Sequence, residues 1–120
     1  MAGLRFLARA VVATLVVACS SPSAQERAND AELAAVAPLR TQYSGVEMGF
    51  DIRSPNTLIV SLDLQTYLDM DDDAVAAMQR NTLGHWRSAW GAAHPHAHAA
   101  LHVRFIDFIG RKVAELSSRR

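Results

Sequence analysis

Residues 46–64, VEMGFDIRSPNTLIVSLDL, decide the fold. Val46, Met48, Phe50 and Ile52 alternate with Glu47, Gly49, Asp51 and Arg53. Leu58, Val60, Leu62 and Leu64 then alternate with Thr57, Ile59, Ser61 and Asp63. Successive side chains of a strand point to opposite faces, so each run reads as a half-buried strand. Ser54, Pro55 and Asn56 between them supply turn chemistry. Two alternating runs joined this closely predict an antiparallel hairpin with one apolar face. That face needs a cover.

The cover follows in the sequence. At 100° per residue, Val75, Met78, Thr82, Leu83, Trp86, Ala89 and Trp90 fall within an arc of about 140°, the stripe of a helix laid on a sheet. The spacing predicts this helix from Asp69 to Trp90. Asp69, Asp71, Asp72 and Asp73 stand at its start, where aspartate caps the first turn and opposes the positive end of the helix dipole. Gly91 and Pro95 end it. Upstream, the alanine-rich stretch Glu26 to Val36 reads as a short helix interrupted by Pro38. Downstream, Leu101, Val103 and Phe105 alternate with His102, Arg104 and Ile106. A turn at Gly110, Arg111 and Lys112 then leads to a last strand from Val113 to Ser117. The expected fold is α+β in the order α-β-β-α-β-β. It comprises a small antiparallel sheet of three or four strands with helices packed on one face.

The chain has 120 residues, of which half are hydrophobic and a fifth charged, and its formal net charge is zero. Such a composition suits one globular domain and excludes wholesale disorder. The charge balance argues against a nucleic-acid partner, which calls for a basic excess. A single cysteine excludes an internal disulfide.

That cysteine ends the most distinctive stretch of the amino terminus. Met1 to Arg9 carries two arginines and no acid, and Ala10 to Ala18 is an unbroken apolar run of nine. Nine residues are too few to span a bilayer, which takes about 20. They suit the apolar core of an export signal, about 7–15 residues long. Val16-Val17-Ala18-Cys19 resembles the lipobox of bacterial lipoproteins, departing from its commonest form in Val16, where leucine is usual. The resemblance covers about one sixth of the chain. It implies a signal peptide over 1–18, cleavage after Ala18, and acylation of Cys19, with 19–25 as a lipidated tether before a single periplasmic domain over 26–120. Buried acyl chains are worth about 0.8 kcal/mol per methylene and hold a protein to a bilayer. Ser20, where aspartate often marks inner-membrane retention, favours the outer membrane. The alternative is an ordinary secretory signal ending near Ala24, with a soluble periplasmic or secreted product.

Three groups of residues bear on chemistry. His94, His96, His98 and His102 share parity, and on an extended chain they would face one side, where neutral imidazoles can hold copper or zinc. The competing reading is a set of loop histidines meeting solvent around Pro95. Asp69, Asp71 and Asp73 mimic the opening of a calcium loop, but Ala74 and Arg80 occupy the positions where that loop needs glycine and glutamate. Helix capping accounts for them. Trp86 sits at the centre of the helix's apolar arc and belongs to the core. Trp90 lies nearer the arc's edge, and Ile106 and Phe108 fall on the outward side of the third strand. Either the strand bends or bulges at Ile106 and Phe108, or these last three form a candidate interaction surface for an envelope protein or a second copy of the chain. No nucleophile elbow or phosphate-binding glycine loop appears. The reading is a non-catalytic interaction or structural module without a cofactor, attached to the membrane through Cys19. Its rival is a periplasmic transition-metal-binding protein.

Overall fold

The computed structural model describes residues 23–118. The signal region 1–18, Cys19 and residues 20–22 lie outside them. Helix α1 spans Ala24–Val36, and the Ser23 hydroxyl accepts from Glu26 N at 3.1 Å to cap it. The helix therefore takes in Ala24 and Gln25, which the sequence assigns to the tether. Pro38 sits in the first turn of a second, short helix, α2 (Pro38–Gln42), where its missing N–H costs nothing. A 3₁₀ turn follows at Ser44–Val46.

Strand β1 (Gly49–Arg53) starts later than the alternation predicts, because Glu47 takes a left-handed backbone (φ 54°) that breaks the extended run. β2 (Thr57–Ser61) pairs with it antiparallel, Ile52 opposite Leu58, as expected of the hairpin. Leu64, expected to extend β2, instead opens helix α3 (Leu64–Asp69), capped by the Asp63 carboxylate accepting from Thr66 N at 3.3 Å. The helix expected to begin at Asp69 starts at Asp72 and runs to Ala93 (α4), with Asp72 and Asp73 in its first turn. β3 (Leu101–Ile106) and β4 (Lys112–Ser118) complete a four-stranded sheet in the order β1-β2-β3-β4.

The fold is α+β. In its centre it departs from the antiparallel expectation: β2 and β3 run parallel, Thr57 opposite His102 and Ser61 opposite Ile106, while β3 and β4 are antiparallel. Parallel neighbours need a long crossover. α3 and α4 supply it, returning the chain to the end where β2 began. Alternation reports which face a residue takes and is silent on strand direction.

Leu58, Val60, Leu101, Val103 and Phe105 project from the sheet into one core with Val36, Leu39, Met78, Trp86 and Trp90 from the helices. α4 covers β3 and β4, α1 covers β1, and the two helices pack on each other. The register defines two ends. The near end holds Arg53, Thr57, Leu101 and Ser118, with the β1–β2 turn. The far end holds Gly49, Ser61, Ile106 and Lys112, with the β3–β4 turn.

Candidate functional sites at the two ends of the sheet

At the far end the chain turns around Asp107. This side chain points inward, as alternation after Phe105 requires, and is buried. Its Oδ1 accepts from Ile109 N (3.1 Å) and Arg111 N (2.8 Å), and its Oδ2 accepts from Arg111 Nε at 2.7 Å. Burial alone would push this carboxyl up. The hydrogen bonds from Arg111 and Ile109, with the guanidinium charge, outweigh that and hold it below the usual carboxylate range. Gly110 closes the turn at φ +91°, a conformation that side chains oppose. The turn is thus fixed by polar bonds on its inside, and Phe108 and Ile109 are left outside, 58 % and 76 % exposed. Leu68, on the crossover leaving the same end after β2, is 65 % exposed. These three are the exposed large hydrophobics among the described residues, and all belong to connections that leave the carboxyl ends of the parallel pair.

Of the residues expected to form an interaction surface, Phe108 is exposed as anticipated. Ile106 is half-buried on the outer face of the sheet. There it joins Ile59, Arg53, Arg104 and Lys112 around an open depression of about 420 Å³. Trp90 is a correction: it is buried in the core, and its ring stacks on His94 with centroids 4.4 Å apart. The aromatic width of α4 is taken up by α1, whose presence on that flank the arc calculation cannot report. Ile109 and Leu68 were missed, because a turn and a short crossover helix carry no periodic signal.

At the near end, α1, the β1–β2 turn and the last turns of α4 enclose a cleft of about 310 Å³. Gln25, Asn29 and Glu32 come from α1, and Trp86, Trp90 and His94 from α4 and its cap. The indole N–H of Trp86 donates to Asn56 O at 3.2 Å, which ties the helix to the turn. Glu32 is only 2 % exposed. Its Oε1 is buried and accepts no hydrogen bond, although His94 Nδ1 is 3.4 Å away. That nitrogen is nearer to Trp90 O, at 3.0 Å. A carbonyl only accepts, so the imidazole proton sits on Nδ1 and is directed there. Burial pushes the Glu32 carboxyl above its ordinary value, and the His94 charge only partly offsets this. Nothing in the local sequence, AELAAV, distinguishes Glu32 from a solvated helix acid.

The four histidines do not gather. Residues 94–97 form a turn, with Ala97 N donating to His94 O at 3.1 Å, so the shared parity of an extended chain does not apply. His94 packs on Trp90, His96 lies in the turn, and His98 is exposed. His102 is on the outer face of the sheet, its Nδ1 2.7 Å from Ser117 Oγ. Among the described residues no group of three or more histidine, cysteine, aspartate or glutamate side chains is placed to hold a metal ion. The copper or zinc site expected of His94, His96, His98 and His102 is therefore not assembled by this fold. No described helix is long and apolar enough to cross a membrane.

The chain matches no protein-family model, and no curated protein or solved structure is significantly similar to it.

Proposed function

We propose that the chain is an envelope lipoprotein, lipidated at Cys19 and held at the outer membrane. Its periplasmic domain acts as a non-catalytic docking module for an envelope protein. The observation that carries the docking reading is the concentration of Leu68, Phe108 and Ile109 at one end of the sheet, on a turn made rigid by Asp107. Exposed apolar side chains held in fixed positions are what a protein interface anchors on.

The direction in which that end points supports the same reading. α1 begins at Ala24 beside the β1–β2 turn, at the near end. The five residue steps from Cys19 to Ala24 reach at most roughly 17 Å. Lipid at Cys19 would keep the near end by the bilayer and present Phe108 and Ile109 away from it. A partner reached in this way stands in the periplasm or beyond, and the anchoring membrane does not cover the apolar end.

Two measurements test this. The intact mass of membrane-extracted protein should correspond to a chain starting at Cys19 plus acyl groups, and Cys19→Ala should abolish that species. A photo-crosslinking residue at Ile109, in intact cells, should give a discrete protein adduct that the same residue at exposed Arg87 does not give. An unmodified chain starting near Gln25 would overturn the anchor. Identical adducts from both positions, or none from either, would overturn the docking end.

A further inference from the structure

The near end carries a feature that docking at the far end does not use. Buried polar atoms in folded proteins are almost always hydrogen-bonded, yet Oε1 of Glu32 has no donor. A carboxylate accepts and never donates, so it calls for an N–H or O–H from elsewhere, and an ionised donor gives the stronger bond. Glu32 forms part of the lining of the 310 Å³ cleft, a size at the lower end of the range for small-molecule sites of about 300–1,000 Å³. No metal-holding set is available among the described residues. We propose that this cleft binds a small organic ligand through a primary ammonium group that donates to Glu32 Oε1.

His94 is the cover of this site. Its ring lies one residue beyond the end of α4, lines the cleft, and is 27 % exposed. It is held by stacking on Trp90 and by one bond to Trp90 O. An entering ammonium takes the place beside Oε1 that Nδ1 now holds at 3.4 Å, and the imidazole turns toward solvent. The exchange gives up the stack on Trp90 and the contact of Nδ1 with Oε1, and no covalent bond changes. Arg53 also lines the cleft, and its guanidinium is 3.5 Å from the Asp51 carboxylate. Exposed and paired to Asp51, it contributes nothing to holding a plain alkylamine. A ligand that also bears a carboxylate, as an amino acid does, turns it to advantage. This inference is independent of the docking reading, since the residues that test the two lie at opposite ends of the sheet.

Trp86 and Trp90 are the only tryptophans of the chain, and both line this cleft, so intrinsic fluorescence reports its filling. The detergent-solubilised full chain would be titrated with L-leucine, with isoamylamine as the matching amine, and with 4-methylpentanoate as the matching carboxylate. We expect a saturable response to leucine, a weaker one to the amine and none to the carboxylate. Glu32→Gln should weaken leucine binding by about tenfold or more, as loss of a charge-assisted bond implies. His94→Ala, which removes the cover and leaves the acceptor, should bind leucine as well as or better than the native chain. Absence of a saturable response to both amines up to about 10 mM overturns the proposal. So does binding of the carboxylate alone, unchanged affinity in Glu32→Gln, or a loss in His94→Ala equal to that in Glu32→Gln. The comparison of the three probes on the native chain decides the matter even where a variant does not fold.

Discussion

The two ends of the sheet each bury one carboxylate and treat it in opposite ways. Asp107 is surrounded by donors from its own turn and is held ionised, and the apolar side chains beside it are turned outward. Glu32 is buried with one oxygen accepting no hydrogen bond and only the His94 imidazole beside it, and the aromatic side chains near it are turned inward. A closed polar network costs little and fixes a shape, whereas an open one is a standing cost that a ligand can relieve. The far end therefore suits a preformed contact surface, and the near end suits a site that a small molecule completes.

The largest effect that would sharpen this contrast is on the aromatic residues. Trp86 is fully buried at the near end, and Trp86→Ala should cost about 3–5 kcal/mol, read as a lowered midpoint in urea unfolding. Phe108→Ala, at the exposed far end, should change stability by less than about 0.5 kcal/mol. Comparable losses at the two positions would break the distinction between a core end and a display end.

Glu32→Leu tests the open network. It removes the unpaired acceptor and should stabilise the fold by about 1 kcal/mol at neutral pH in the same unfolding measurement. A loss of stability would mean that Glu32 is satisfied in solution.

The dependence of stability on pH separates the two carboxylates by sign. Folding lowers the Asp107 value, so this group adds stability above the ordinary carboxylate range and loses it as pH falls through the depressed value. Asp107→Asn should therefore melt at a lower temperature than the native chain at pH 7, with the gap closing below about pH 4. Folding raises the Glu32 value, so its contribution is fully present below the ordinary range and is lost as pH rises through the raised value. The gain from Glu32→Leu should accordingly be largest near neutrality and shrink on acidification. Melting curves at several pH values check both, and gaps of the same sign would refute the contrast.

The smallest expected effect on stability is that of Phe108→Ser combined with Ile109→Ser. The melting temperature should hold within about 2 °C of the native chain, because little burial is lost. The adduct formed from a crosslinker at Leu68 should disappear. A large loss of stability would place these side chains in the packing of the fold instead.

Much of this architecture was legible because periodicity is a local property. The hairpin at Phe50–Val60, the apolar arc centred on Trp86, and the inward set Leu101, Val103 and Phe105 all follow from which residues recur at two or at 3.6. Element boundaries were less so. Glu47 adopts a left-handed backbone and Asp63 caps a helix, and each such event shifts an end by a few residues. Of the candidate site residues, Phe108 is exposed because it stands in the turn beyond the end of β3, where strand parity no longer applies, and Trp90 is buried because α1 covers that flank of α4. The four histidines shared parity only on the assumption of an extended chain, which the turn at His94 removes.

By itself the sequence determined the α+β class, the faces of its strands and the main covering helix, since alternation and helical spacing are written residue by residue. The parallel pairing of β2 with β3, the burial of Glu32 beside His94, and the placing of the exposed Leu68, Phe108 and Ile109 on connections that leave the same end of the sheet were decided by the tertiary structure alone. Each depends on which distant segments meet, and the free energy of such meetings belongs to pairs of residues far apart in the chain.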